Sequence, residues 1–213
     1  MNLFARYLNS EEDVPMAKTK KRHINPEEKT NRVLRVARKL FVERGYHNVT
    51  IPAIVKESGV STGAIYSYFT NKETLARRIH DETMHAFQAM LQERFEDASS
   101  IREKLEAFGI LCFDITESDP VMMEYMLYMK HSEFMSDAVP ICFTEPFKMV
   151  RQIISDGIDS GDIRSQDVYV AAISYTGVII RAIELKLMCV VSTDLHDLSP
   201  DLLQNAWAAI KKS

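Results

Sequence analysis

The stretch TIPAIVKESGVSTGAIYSYFTNK, which runs from Thr50 to Lys72, decides the fold. Thr50 suits the N-cap of a first helix, and Pro52 is tolerated there because the first helical turn needs no N–H donor. Gly59 ends that helix, and Ser61 caps a second helix after a turn of about three residues. Two helices joined by so short a turn predict a helix-turn-helix, whose second helix enters the DNA major groove.

The second of these helices has two chemically different faces. Ile65 and Phe69 lie one turn apart and share the face that we expect to be buried. The opposite face carries Thr62, Gly63, Tyr66 and Ser67. It is small and polar and has no acidic residue, which suits close approach to base edges and phosphates. Because it also lacks Arg, Asn and Gln, we expect sequence discrimination to depend on DNA shape or on water.

The charge of the chain is unevenly distributed. The net charge is −4, yet residues 16–80 hold 14 Lys and Arg against 5 Asp and Glu. A basic N-terminal third is typical of a protein that binds a polyanion, although a solvated basic face would have the same composition. Residues 1–24, which include Lys18 and Arg22, are predicted to be a disordered basic arm.

Both flanks of the central stretch predict helices. Asn25 and Pro26 begin a helix that Gly45 ends, with an apolar stripe along one side. Asn71 caps a long helix that runs to about Glu96 and forms a rod able to link two domains. Residues 25–72 are therefore predicted to be a three-helix DNA-binding domain, and residues 73–213 a helical domain for effector binding and dimerisation.

The remainder of the chain is also helical by its periodicity. Helices are predicted over 101–118, from Pro120 onward, over 147–158, from Gln166 to about Val191 with Ser165 as the cap, and from Pro200 to Ala209. No strand-like alternation stands out. The sequence predicts an all-α protein of about nine helices, in which the long helix joins the N-terminal domain to a C-terminal bundle.

From Arg38 to Leu75 the sequence resembles the TetR family of bacterial transcriptional regulators. The residues that carry the resemblance are Ala37, Phe41, Gly45, Thr50, Ile54, Gly59, Val60, Ser61, Ile65, Tyr66, Phe69, Asn71, Lys72, Glu73 and Leu75. The resemblance implies that Thr62, Gly63, Ser67 and Tyr68 face the DNA groove. It also implies that Tyr66 and Lys72 contact phosphates and that Thr50 caps a helix whose N-terminus points at the DNA backbone.

A protein with so small a reading element usually binds DNA as a dimer. Helices 166–191 and 200–209 are the candidates for a homodimer interface, since the longer one carries more apolar surface than its own core requires. A central core helix would show the same composition. Its longest uncharged run, 168–180, is too short to span a bilayer, so no membrane partner is expected.

The Met- and aromatic-rich segment around 108–147 predicts an effector pocket, because methionine adapts to irregular apolar ligands. The candidate ligand-binding residues are Phe108, Cys112, Met122, Tyr125, Met126, Met129, Phe147 and Tyr175. A stripe of methionines at helical spacing is also typical of an ordinary core, and that alternative stays open.

The sequence therefore predicts a cytoplasmic, dimeric DNA-binding regulator, most simply a repressor released from its DNA operator by a small, largely apolar effector. The alternative is an effector-independent regulator whose bundle only dimerises or binds another protein. No catalytic signature and no metal-ligand spacing is visible among the Cys and His residues, so neither an enzyme nor a metal or other cofactor is expected.

Overall fold

The computed structural model describes residues 25–212, and within that range the fold is all-α, as predicted. The nine α-helices are α1 Pro26–Arg44, α2 Ile51–Ser58, α3 Thr62–Tyr68, α4 Lys72–Glu96, α5 Ile101–Ser118, α6 Pro120–Tyr128, α7 Glu145–Ser160, α8 Val168–Leu187 and α9 Leu195–Ala208. Two short 3-10 helices, His131–Glu133 and Ile141–Phe143, lie between α6 and α7. The predicted basic arm, residues 1–24, lies outside the described residues.

The predicted starts of the N-terminal helices are confirmed by their capping side chains. The Thr50 hydroxyl accepts a hydrogen bond from the Ala53 N–H at 3.3 Å, and the Asn71 side chain accepts one from Thr74 at 2.8 Å. Such caps satisfy N–H groups that the first helical turn leaves without an intrahelical acceptor. Gly59 has a φ of 66°, a left-handed conformation that suits glycine at the end of α2.

The predicted bounds of α8 are wrong at both ends. The cap is Asp167, whose carboxylate accepts hydrogen bonds from the backbone N–H groups of Tyr169 and Val170. A carboxylate stabilises the positive end of a helix more than the Ser165 hydroxyl would. The helix ends at Leu187. Cys189 has a positive φ of 57°, a left-handed conformation with which a right-handed α-helix cannot continue.

The predicted start of α9 is also wrong, because the helix begins at Leu195 and contains Pro200 in its interior. Proline has no N–H to donate to the carbonyl of His196, one turn earlier. The Ser199 hydroxyl donates to that carbonyl instead, at 2.9 Å, and so compensates for the missing backbone bond. The predicted dimerisation helices are therefore α8, Val168–Leu187, and α9, Leu195–Ala208.

Two apolar clusters form the interior. One joins α1, α2, α3 and the first turns of α4, and the other lies inside the C-terminal bundle. Helix α6 contributes to both: Tyr125 is buried in the N-terminal cluster, whereas Met122 and Met126 are buried in the C-terminal one. Phe134 and Met135, after α6, also belong to the N-terminal cluster. The core around the helix-turn-helix thus continues into residues that follow α6.

A polar cluster holds the first turn of α9 against α5. The two ring nitrogens of His196 lie 2.5 Å from an Asp114 carboxylate oxygen and 2.6 Å from an Asp194 carboxylate oxygen. The other Asp114 oxygen pairs with Arg94 of α4. Hydrogen bonds to both carboxylates raise the pKa of His196 above its ordinary value. The protonated imidazole can therefore donate to both carboxylates, and it connects α9 to α5.

We expect the unfolding free energy to fall as the pH rises through the raised pKa of His196. Because the folded pKa exceeds the unfolded value of about 6.5, the contribution is complete below that value and is lost above the folded pKa. The side chain is 46% exposed, so the screened effect is about 0.5 kcal/mol. Urea unfolding at about pH 5.5 and about pH 8.5 measures it. His196→Gln removes this part of the pH dependence; an unchanged profile contradicts the assignment.

Candidate DNA interface and effector site

The face of α3 that was predicted to meet DNA is exposed along its whole length. Thr62, Gly63, Tyr66, Ser67 and Tyr68 are all exposed, and 52% of the Tyr66 surface is open to solvent. Ile65 and Phe69, on the other face, are buried in the N-terminal cluster, as expected. The burial pattern therefore leaves the polar face of this helix free to approach another molecule.

The turn between α2 and α3 is held by side chains of the domain itself. The Ser58 hydroxyl accepts a hydrogen bond from the Val60 N–H at 3.2 Å, and its carbonyl accepts one from the Arg32 guanidinium at 3.4 Å. Ser58 is buried, so these bonds also satisfy polar atoms that water does not reach. The bond from Arg32 therefore joins the end of α2, just before the turn, to α1.

Lys72, which was also predicted to contact a phosphate, is not free in solvent like the residues on the exposed face of α3. Its ammonium group donates hydrogen bonds to the carbonyls of Tyr46 and Val49, both at 2.9 Å. It also lies 4.1 Å from the centroid of the Tyr46 ring. Burial lowers the pKa of Lys72. The side chain therefore points into the loop between α1 and α2.

Three contacts that the sequence did not predict join the N-terminal helices to α6 and to the segment after it. Arg38 of α1 forms an ion pair with Asp119, the cap of α6, at 2.5 Å. Arg77 of α4 forms two hydrogen bonds with Asp137, at 2.9 and 3.1 Å. The rings of Tyr46 and Phe134 lie 5.0 Å apart. No local sequence signal marks these pairs, because each joins residues more than 50 positions apart.

A histidine lies in the middle of this junction. The His131 ring packs edge-on against the rings of Tyr125 and His80, with centroid distances of 5.2 and 4.9 Å. Burial, together with the neighbouring His80, lowers the pKa of His131 to about 4. His131 is therefore neutral at physiological pH, and it acts as an aromatic packing residue between α4 and α6.

The predicted effector residues are divided between the two clusters. Phe108, Cys112, Met122, Met126 and Tyr175 are buried in the C-terminal cluster, and Phe147 packs against it. The Phe147 ring lies 6.0 Å from Phe87 and 6.1 Å from Phe108. Tyr125 and Met129, in contrast, pack in the N-terminal cluster. The structure thus brings together six of the eight predicted residues and separates the other two.

Tyr175 carries a polar atom into the apolar interior of the bundle. The residue is fully buried, and its hydroxyl has no hydrogen-bond partner among the described residues. Burial raises the pKa of the Tyr175 hydroxyl and also that of the Cys112 thiol, so both groups are neutral. A buried hydroxyl without a partner is costly, which makes Tyr175 the group of the C-terminal cluster best placed to bond a polar atom of a ligand; the Tyr125 hydroxyl also lacks a partner but lies in the N-terminal cluster.

The outward face of α8 is apolar. Tyr169, Val170 and Ile173 are exposed, and 69% of the Ile173 surface is open to solvent. Gly177 continues the stripe, and no atom lies within 4 Å of the position that a Cβ would take there. By length and composition alone α8 could also cross a membrane, a test that core helices meet as well. Its opposite face, including Tyr175, lies in the bundle core.

The fold and the exposed polar face of α3 define a helix-turn-helix DNA-binding protein. Residues 33–79 match the family model described as "Bacterial regulatory proteins, tetR family". The match identifies the helix-turn-helix region as a TetR-family DNA-binding domain, as the resemblance predicted. The chain is 27% identical to the fatty acid metabolism regulator protein of Bacillus subtilis over 183 residues, which cover 81% of this chain and 90% of that protein.

Other relatives and solved structures agree with this assignment. The transcriptional repressor KstR2 of Mycolicibacterium smegmatis is 23% identical over 65% of this chain and 69% of its own. A TetR-family regulator from Marinobacter aquaeolei has a TM-score of 0.76, 19% identity, and coverage of 88% and 97%. FadR from Bacillus subtilis, solved in complex with stearoyl-CoA, has a TM-score of 0.67, 24% identity, and coverage of 84% and 98%. At these identities the two structures support the fold alone.

Proposed function

We propose that the protein is a cytoplasmic, dimeric transcriptional repressor that an acyl-CoA effector releases from its DNA operator. The observation that carries the proposal is the buried Tyr175 hydroxyl without a partner, in the cluster that also holds Phe108, Met122 and Met126. Its apolar surroundings suit an acyl chain, and its hydroxyl suits the thioester carbonyl of such a ligand. The similarity to the fatty acid metabolism regulator protein of Bacillus subtilis supports this class of effector, and FadR was solved with such a ligand, stearoyl-CoA.

DNA binding is assigned to the exposed face of α3 together with the N-terminus of α2. Tyr66 and the capped start of α2 at Thr50 contact phosphates, because hydroxyls and helix N-termini bind phosphate oxygens well. Thr62, Gly63, Ser67 and Tyr68 face the base edges. The support is their joint exposure on a helix whose other face is buried.

Dimerisation is assigned to α8 and α9. The exposed apolar stripe of α8 centres on Ile173 and Gly177, and the missing side chain at Gly177 allows a partner helix to approach closely. Pairing across a two-fold axis forms a four-helix bundle from the two copies of α8 and α9. Such a dimer presents two copies of α3 to successive turns of the major groove.

Effector release is assigned to α6, which has side chains in both clusters. A ligand that inserts among Met122, Met126 and Phe108 displaces α6, and Tyr125 carries the displacement into the N-terminal cluster. The effector must bind the displaced state more tightly than the DNA-binding state for release to follow. A regulator without an effector, in which the bundle only dimerises, is the competing assignment, and the following experiment separates the two.

Tyr175→Phe is expected to separate binding of the effector from the stability of the fold. Removing a buried hydroxyl that lacks a partner raises the free energy of unfolding by about 1 kcal/mol, whereas loss of its hydrogen bond to the ligand weakens stearoyl-CoA binding about tenfold. Isothermal titration and a gel shift with duplexes selected by the wild-type protein measure both effects. Thr176→Ser, on the next position of α8, is the matched control. Wild-type protein that neither binds stearoyl-CoA nor leaves DNA favours the effector-independent regulator.

A further inference from the structure

We propose that Lys72 and Tyr46 are positioning residues for DNA binding: Lys72 fastens the loop between α1 and α2, rather than binding a phosphate. The loop, residues 45–49, leads directly into Thr50, the cap of α2. Lys72 opens α4 and reaches across to the carbonyls of Tyr46 and Val49. The inference rests on the assignment of DNA binding to α2 and α3 and names residues that orient them.

The Lys72 ammonium group contacts the loop between α1 and α2 through two hydrogen bonds and one aromatic ring. An ammonium group has three N–H donors. Two of them meet carbonyl oxygens at 2.9 Å, and the face of the Tyr46 ring lies 4.1 Å from the nitrogen. A phosphate oxygen could accept only from the third N–H, and such a bond would turn that N–H away from the face of the Tyr46 ring.

The loop needs this support because its backbone conformation is not regular. Gly45 has a positive φ of 77°, and the Tyr46 carbonyl otherwise accepts only a 3.3 Å bond from the Val49 N–H. The Val49 carbonyl immediately precedes Thr50, so its bond to Lys72 fixes the backbone at the point where α2 starts. The position of the α2 N-terminus, and with it that of α3, therefore depends on Lys72.

The Tyr46 ring connects the Lys72 contacts to the segment after α6. One side of the ring faces Lys72, and the ring of Phe134 packs against Tyr46 at 5.0 Å. Phe134 is 4% exposed and precedes Asp137, which is bonded to Arg77 of α4. Phe134, from the C-terminal half of the chain, thus packs against the same Tyr46 ring that contacts the Lys72 ammonium group.

The dependence of DNA affinity on salt distinguishes positioning from phosphate contact. Loss of a phosphate contact reduces the slope of log Kobs against log [salt] by about 0.9 for each phosphate. We expect Lys72→Met to weaken binding about tenfold at every salt concentration with a slope change below about 0.3. Lys72→Arg keeps the charge but cannot place one nitrogen between both carbonyls, so it is expected to weaken binding to a similar extent.

Phe134→Leu tests the same inference from outside the DNA-binding helices. It is expected to weaken DNA binding, and its effect and that of Lys72→Met are expected to be non-additive in the double variant, because both act through Tyr46. DNA binding by the wild-type protein, the three single variants and the double variant is measured by fluorescence anisotropy, with duplexes that the wild-type protein enriches from a random pool. Circular dichroism confirms that each protein is folded. If Lys72→Met does not fold, Lys72→Arg and Phe134→Leu decide the question.

A reduction of the slope by about 0.9 or more with Lys72→Met, together with wild-type affinity for Lys72→Arg, would overturn the proposal and restore the phosphate contact. Additive effects of Lys72→Met and Phe134→Leu would remove Tyr46 from the mechanism. Failure of the wild-type protein to enrich any duplex would contradict the assignment of DNA binding itself, which is a separate outcome.

Discussion

Ile173→Asp is expected to give a folded monomer that has lost most of its affinity for operator DNA. Ile173 is the most exposed apolar side chain of α8, with 69% of its surface open to solvent. A carboxylate there would be buried against its symmetry mate in the proposed dimer, without a compensating cation. The DNA affinity of two linked DNA-binding domains exceeds that of one domain by a factor of about 10² to 10⁴, and this factor is lost when the dimer dissociates.

Sedimentation velocity measures the oligomeric state, and fluorescence anisotropy with the enriched duplex measures the affinity. Ile173→Ala is the matched control, because it shortens the side chain without adding charge and should dimerise more weakly without becoming fully monomeric. A dimeric Ile173→Asp variant would place the interface elsewhere. A monomeric variant with unchanged DNA affinity would show that the protein binds DNA as a single copy.

Gly63→Glu is expected to abolish specific DNA binding without harming the fold. Gly63 is exposed on α3, and no atom lies within 4 Å of the position of an added Cβ. Any side chain therefore fits in the free protein, and replacing glycine within a helix favours the helix by up to about 1 kcal/mol. In the groove, however, a carboxylate faces phosphates and base acceptors, and like charges in contact cost several kcal/mol. We expect an affinity loss of at least about a hundredfold.

Gly63→Gln is nearly isosteric with Gly63→Glu and isolates the effect of the charge from that of size. Gly63→Ala tests whether the close approach needs glycine at all. Thermal unfolding checks that all three variants are folded, and a gel shift measures their DNA binding. Wild-type affinity for Gly63→Glu would mean that this face of α3 does not enter the groove.

The sequence predicted the N-terminal helices well because their boundaries are set by local chemistry. Thr50, Ser61 and Asn71 cap helices with side chains that reach only two or three residues ahead, and Gly59 adopts a conformation that few other residues tolerate. The buried face of α3 was also predicted correctly, because Ile65 and Phe69 are spaced one helical turn apart. Such signals do not depend on the rest of the fold.

Features that depend on tertiary packing were missed. Helix α6 is apolar except at Glu124, so no hydrophobic stripe indicated that Tyr125 faces one core and Met126 the other. The start of α9 was misplaced because Pro200 is a typical first-turn residue, and the compensating bond from the Ser199 hydroxyl has no sequence signature. The Arg38–Asp119 pair joins positions that only the folded chain brings together.

The participation of α6 in two cores bears on how this protein can be divided. A fragment that ended at residue 72 would leave exposed the apolar surface that Tyr125, Phe134 and Met135 cover. It would also lose Asp119, the acidic partner of Arg38. The apolar core of the DNA-binding domain is therefore completed by a part of the chain that is synthesised much later. During translation this domain reaches its final packing only after α6 and the residues up to Met135 have left the ribosome.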